Sequence, residues 1–316
     1  RHAGGRHGVP DLSSALHLRS ILTPRVMSMN LLRRLTAAVF VLLAGLLPAA
    51  ATDTLYFSAI PDEDETALVT RFTKVAEYLE AQLGVPVRFV PVKSYPAAVT
   101  AFRNDQVQLA WFGGLSGVQA RLAVPGARAI AQGTEDRAFV TYFIAHESTG
   151  LTESDAFPQA ARGMSFTFGA KTSTSGRLMP EYHIREATGE APEAFFSRVG
   201  FSGDHSQTLR QVASGAWQVG ALNFAVYDKA VAENAPEIAT TRIIWRTPSY
   251  PDYNWTIRGD VDARWGAGFA DKVQAALVGM TDPDLLASFP REGFIPAANA
   301  DYAPIETIAR QLDLIE

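Results

Sequence analysis

From Thr54 onward, short apolar runs alternate with stretches of helical period, and this alternation constrains the fold more than any other feature of the chain. Thr54-Leu-Tyr-Phe-Ser-Ala-Ile60 has the length and character of a strand. Leu68, Phe72, Val75, Ala76, Leu79 and Leu83 then recur at three- and four-residue spacing, and Gly84 closes the helix they predict. Asp62 and Glu65 are placed to cap that helix. Residues 85–92 predict a second strand. Ser94 opens a helix with Pro96 in its first turn, where a missing N–H costs little. Residues 107–112 predict a third strand, stopped by Gly113-Gly114, and a helix from Ser116 and a strand near 127–132 follow. Strands and helices in strict alternation build parallel, doubly wound sheets.

A second set of the same units begins further along. Residues 140–145 form an apolar strand, and the polar, acidic stretch 147–155 marks a crossing. A strand at 165–168, a helix at 175–187, a strand near 195–200, a helix at 206–213 and a strand at 218–222 then repeat the pattern. Arg242-Ile-Ile-Trp-Arg246 reads as the strand that crosses back. Helices at 269–278, 285–289 and 304–315 are left to cover the first lobe. The expected organisation is therefore α/β with two lobes: 52–145 with 250–316, and 146–249. Residues 1–51 stand outside both. The chain contains no internal repeat and no low-complexity segment.

Residues 1–51 carry an address rather than a fold. After Met27 and Met29, either of which suits a translation start, come Asn30-Leu-Leu-Arg-Arg34, an apolar run from Leu35 to Leu47, and Pro48-Ala-Ala-Ala51. A basic start, a short apolar centre and small residues before a cut form a cleavable secretory signal peptide, with cleavage expected near Ala49–Thr52. The apolar run is too short to span a bilayer comfortably. The 316 residues include no cysteine. That excludes structural disulfides, thiol catalysis, cysteine metal sites and a lipid-bearing cysteine. A soluble, untethered exported protein suits a periplasm. Six of the 28 basic and one of the 33 acidic residues lie in 1–51, which leaves a net charge of −10 on the 265 residues 52–316. Such a surface argues against nucleic acid or anionic membrane as a partner. It does not exclude an anionic ligand, because N–H and O–H dipoles act at short range.

The chemistry concentrates at Lys171-Thr-Ser-Thr-Ser175-Gly, between a predicted strand and a predicted helix. The first four N–H groups of a helix have no intrahelical partner, and that end carries partial positive charge. One Ser or Thr is enough for a cap. Four hydroxyls in a row, at Thr172, Ser173, Thr174 and Ser175, suit a small tetrahedral oxyanion. Lys171 would add charge to such a site, although a loop lysine is usually solvated. His205, in the loop before a helix capped by Ser206, is a second polar candidate, and Asn223 a third. No Gly-x-Ser-x-Gly elbow and no close carboxylate pair supports an enzyme. Six histidines without ligand spacing give no metal site, and no cofactor is expected.

Five motifs in order give the chain a family likeness: Tyr95; Ala110-Trp-Phe-Gly113; Ser173-Thr-Ser-Gly176 with Pro180; Gly203-Asp-His205; and Ile244-Trp-Arg with Tyr250-Pro-Asp252. Together they resemble the periplasmic phosphonate-binding proteins of ABC importers, over about 54 to 300. The resemblance implies a type II periplasmic-binding fold with two lobes on a hinge, working as a monomer with a membrane permease and its ATPase. It implies a phosphonate group held by Tyr95, Ser173, Thr174, Ser175 and His205, with Phe112 lining the site and Asp252 as a family carboxylate. Two departures bear on the ligand. Phe112 stands where the family has a Tyr, and Ala225 aligns with a Glu that meets an ammonium in aminoalkylphosphonate binders. Phosphite, a simple alkylphosphonate or a phosphate-like oxyanion is therefore the expected cargo. The stretch from Ala110 to Gln119 also resembles a branch described as selenate-binding. Selenate capture is one alternative, and ligand sensing for a membrane histidine kinase is another.

Overall fold

The computed structural model describes residues 53–315; the expected leader and its cleavage point lie outside them. Two mixed sheets carry the chain. The first is ordered β11-β4-β10-β3-β1-β2. Its strands are β1 (Leu55–Ala59), β2 (Val87–Phe89), β3 (Leu109–Phe112), β4 (Arg128–Gly133), β10 (Asn254–Ile257) and β11 (Phe294–Pro296). The second is ordered β7-β6-β8-β5-β9. Its strands are β5 (Thr141–His146), β6 (Ser165–Phe168), β7 (Arg198–Phe201), β8 (Val219–Asn223) and β9 (Thr241–Arg246). β1, β2 and β3 are parallel, as are β6, β7 and β8, which is the doubly wound part of each lobe. β10 and β11 join the first sheet antiparallel, and β5 lies antiparallel to both β8 and β9.

The parallel strands are apolar on both faces because helices cover both. β3 is buried at all four positions, and so is β8 at all five. Helix α1 (Glu65–Leu83) buries Leu68, Phe72, Val75, Leu79 and Leu83, the face that the spacing predicted. It is capped by Asp64, whose carboxylate accepts from Thr66 and Ala67 N–H, and it stops at Gly84 with φ 71°. Asp62, expected as a capping residue, is instead buried. Helices α2 (Tyr95–Arg103), α3 (Gly114–Ala123), α4 (Met179–Thr188), α5 (His205–Ala213), α6 (Phe224–Ala232), α7 (Phe269–Val278) and α8 (Ala303–Gln311) complete the main layers. No helix among the described residues is long and apolar enough to cross a membrane.

The second sheet takes in residues earlier than 146. β5 pairs with β8 and β9, so the chain leaves the first sheet before Thr141. The two crossings run side by side. Phe139 and Tyr250 exchange both backbone hydrogen bonds, at 2.9 and 3.0 Å, and Thr247 does the same work for Thr141 through its N–H and hydroxyl. A buried ion pair anchors this junction. Arg291 gives Nε and Nη2 to the two carboxylate oxygens of Asp136 at 2.9 and 2.8 Å. The Asp136 carbonyl accepts from Asp252 N–H at 3.0 Å, and the guanidinium lies over the rings of Tyr253 and Phe139.

Removing one member of a buried pair leaves the other charge uncompensated. Arg291→Met should therefore cost about 3–5 kcal/mol of folding stability. The double variant with Asp136→Asn should cost less than the two single changes summed. Urea denaturation of the three variants measures this, and strict additivity would mean that the pair is not coupled.

Candidate functional site

The site is built at helix starts. β6 ends at Phe168, and Ser173 caps the next helix with an extended backbone, its Oγ accepting from Gly176 N–H at 2.9 Å. Thr174–Leu178 forms a single π-helical turn that runs into α4. A π-turn is wider than an α-turn and is frequent at functional positions. Gly176 is needed there for room. A Cβ on it would lie 3.0 Å from Ser173 Oγ and 3.1 Å from both Gly169 Cα and His205 Cε1. Ser173, Thr174 and Ser175 are all at least 98 % buried.

Tyr95 and His205 reach the same place from two other helix starts. Tyr95 is the first residue of α2, after the Ser94 cap, and its phenol lies beside Ser173 without a hydrogen-bond partner. His205 is the first residue of α5, capped by Asp204 rather than by the expected Ser206. Its Nδ1 accepts from Asn223 N–H at 3.2 Å, which leaves the proton on Nε2, 3.5 Å from Ser175 Oγ. Burial lowers the His205 pKa to about 4, against the opposing pull of Glu63. The ring is therefore neutral at ordinary pH and offers one N–H. Asn223 also donates to Tyr253 Oη at 3.1 Å, so the Tyr253 proton is free to turn to Asp62.

The crossing segment brings in Asp252. Its Oδ1 accepts from Gly114 N–H at 2.8 Å, while Thr174 Oγ1 accepts from Leu115 N–H at 2.9 Å. A Cβ on Gly113 would meet both Asp252 Oδ1 and Thr174 Oγ1 at 3.2 Å. The carboxylate and the hydroxyl thus stand within the span of one small group. Burial raises Asp252 to a pKa of about 7, despite the bonds from Gly114, Thr174 and Ser175. Further back, Tyr250 Oη lies 2.5 Å from Thr141 Oγ1, which donates to the Ser175 carbonyl at 2.9 Å and so fixes the hydroxyl run from behind.

Of the residues singled out in the sequence, Tyr95, Ser173, Thr174, Ser175, His205 and Asp252 are brought together. Phe112 is buried and packs edge-on against Phe102, with ring centroids 5.6 Å apart. Lys171 is exposed, its ammonium 5.5 Å from the centre of the Phe201 ring. Asp62, expected to cap a helix, joins the cage instead: it lies in the turn after β1, past Ile60 and Pro61, and is 96 % buried. The signal that could have found it is its place at the carboxyl end of a parallel strand, where ligands of such sheets bind. The lobes meet around this cage. His205 N–H donates to the Asp62 carbonyl at 3.1 Å, and Lys229 reaches Glu63 at 3.5 Å. Outside it a cleft of about 580 Å³ is lined by Tyr95, Thr172, Lys171, Asp204 and Phe201, among others.

Comparison with known proteins gives the chain its relatives. Residues 57–302 match the family model of periplasmic phosphonate substrate-binding proteins of ABC transporters. A Prochlorococcus marinus (strain MIT 9301) protein, "Probable ABC transporter phosphite binding protein PhnD1", is 37 % identical over 268 residues, 83 % of this chain and 90 % of its own. Its structure in complex with methylphosphonate superposes with a TM-score of 0.79, covering 83 % of this chain and 99 % of that one. The phosphonates-binding periplasmic protein of Escherichia coli (strain K12) is 24 % identical over 62 % of this chain and 58 % of its own. A phosphonate-transporter binding component from Pseudomonas aeruginosa shares the fold, with a TM-score of 0.70 at 18 % identity. The chain belongs to the family of periplasmic phosphonate substrate-binding proteins of ABC transporters.

Proposed function

We propose that this protein captures a small phosphorus oxyanion, phosphite or a simple alkylphosphonate, between its two lobes and delivers it as a monomer to the permease of an ABC importer. One observation carries the reading. Three consecutive buried hydroxyls at a helix start stand beside a histidine N–H of their own lobe and face an unpartnered phenol across the lobe junction. Ser173, Thr174 and Ser175 serve as donors from one lobe. Tyr95 donates from the other, and His205 closes the set. The relatives named for phosphite and phosphonate, and the methylphosphonate in the PhnD1 crystal, support the same ligand class. Ala225 lies in the first turn of α6, beside the Asn223 cap, and has no charge to offer an ammonium.

The lobes are 52–140 with 250–316, and 141–249. The crossings at Phe139 and Tyr250 act as the hinge between them. The segment Asn30–Ala51 acts as a cleaved leader. The protein recovered from a periplasmic extract should then begin between Ala50 and Asp53; N-terminal sequencing decides this, and a start before Ala49 refutes it.

Each buried donor left unmade should cost about 1–3 kcal/mol of affinity. Ser175→Ala and Tyr95→Phe should each weaken methylphosphonate and phosphite by that margin in calorimetry. Unchanged affinity in both would reduce these groups to packing. Methylphosphonate should also bind at least about tenfold tighter than 2-aminoethylphosphonate, a margin of about 1.4 kcal/mol. Hinge closure predicts a smaller radius of gyration by X-ray scattering on adding methylphosphonate. A radius unchanged at saturation means a rigid site.

A further inference from the structure

The cage holds two carboxyl groups that no basic side chain pairs with among the described residues. Asp62 Oδ1 and Asp252 Oδ2 are buried and have no hydrogen-bond partner, and neither residue makes an ion pair among the described residues. The nearby cations are committed elsewhere. Arg71 binds Glu63 at 2.7 Å, Lys229 reaches the same Glu63, and Arg291 is held by Asp136. A fully ionised oxyanion in this cage would face a buried like charge, which is costly where the dielectric is low. An oxyanion that still bears an acidic O–H can instead donate it to a carboxylate, in a short charge-assisted bond.

We propose that Asp62 is a specificity-determining residue whose carboxylate accepts the acidic proton of a monoprotonated oxyanion, so that fully ionised oxyanions such as selenate and sulfate are discriminated against. The inference rests on the oxyanion-binding reading above and deepens it, since it separates the phosphorus ligands from selenate.

The surroundings of the two carboxyls give them different parts. Burial, Glu63 and the other causes together set Asp62 at about 6 and Asp252 at about 7. Asp252 Oδ1 is already taken by Gly114 N–H at 2.8 Å, which leaves Asp62 the freer acceptor of the two. The groups facing Asp62 are Glu63 from its own loop, Arg71 from α1, Tyr95 from α2, Tyr253 from the crossing segment and His205 from α5. Those facing Asp252 are Asp136, Tyr95, Tyr250, Tyr253 and Tyr302. Burial holds all four phenols above their ordinary range. His205 is neutral above about 4. Burial alone would raise Glu63, but Arg71 and Lys229 keep it below its usual value. Asp136 is shifted up by burial while bonded to Arg291, and Asp204, which also bears on Tyr95, is shifted up by burial.

The sign of the pH dependence follows. Both carboxyls have raised pKa values, so they gain protons as pH falls through about 7 and then about 6. An anion without a proton should bind better as pH falls through that range. A monoprotonated ligand should bind best between the Asp62 pKa of about 6 and its own second ionisation, weaken below that range as Asp62 is protonated, and lose about tenfold per pH unit above it. Calorimetry from about pH 5.5 to 8.5 with methylphosphonate, selenate and 2-aminoethylphosphonate tests this on the wild type and on Asp62→Asn. The wild type should prefer methylphosphonate over selenate by at least about tenfold near pH 7.5, with the gap narrowing towards pH 5.5. Asp62→Asn, whose uncharged amide repels no anion, should narrow the gap at pH 7.5 by about tenfold. A thermal melt confirms that this variant is folded, and the wild-type profiles need no variant. Equal wild-type affinity for selenate at all pH values overturns the proposal, as does an unchanged preference in Asp62→Asn. Tighter binding of 2-aminoethylphosphonate than of methylphosphonate overturns it too, because the carboxyls would then serve an ammonium. If neither phosphorus ligand binds at any pH, the oxyanion-capture reading fails and this inference with it.

Discussion

Two backbone N–H groups at the start of α3 hold the site together. Gly114 gives its hydrogen to Asp252 on the crossing segment, and Leu115 gives its own to Thr174 in the second lobe. The first N–H groups of a helix must find partners outside the helix. Here one helix end is satisfied by two segments remote in sequence, and in taking them it fixes a carboxylate and a hydroxyl within the same small space. Gly113 permits this approach, since the Cβ of any other residue would press on both oxygens at 3.2 Å. The clasp bridges the lobes, so the geometry that forms the cage is also the geometry of closure.

Three polar groups behind the clasp are used in pairs, and three in the cage are left with an open oxygen. Asp136 has Arg291, Thr141 has Tyr250 and the Ser175 carbonyl, and Asn223 divides its bonds among Ala225, Tyr253 and His205. Tyr95, Asp62 and Asp252 each keep a buried oxygen without a partner. A buried polar atom left unpaired costs stability. In the cage that cost falls on Tyr95, Asp62 and Asp252, while Asp136, Thr141 and Asn223 behind them are satisfied.

Much of the fold could be read from the sequence because parallel strands and their helices leave a strong apolar period. The parallel strands of both lobes and the 269–278 helix stand close to where the spacing puts them. The antiparallel additions did not announce themselves. β10 and β11 are four and three residues long, and β10 mixes Asn254 and Thr256 with apolar neighbours, so no period distinguishes them from loop. The hydroxyl run was legible because four side chains exceed what a cap requires. Asp62 was not, because Asp62 and Asp64 are equivalent as caps on paper, and only the turn after β1 decides that Asp64 takes the helix and Asp62 the interior.

The convergence of helix starts gives the cage its sign. Tyr95 begins α2, Gly114 begins α3, Thr174 begins the π-turn, His205 begins α5, and Asn223 caps α6. Each follows a strand, so the carboxyl ends of β2, β3, β6, β7 and β8 all point at one region, where ligands of doubly wound sheets bind. The partial positive charge of those helix ends favours an anion. A field of this kind is indifferent to which anion enters. Two carboxyl groups placed in it change that. The N-termini offset part of the cost of burying them, and the remainder is felt by the ligand as a demand for a proton. Attraction set by the backbone and refusal set by Asp62 are thus separate parts of one site, and a change to that carboxyl should alter selectivity more than it alters the general preference for anions.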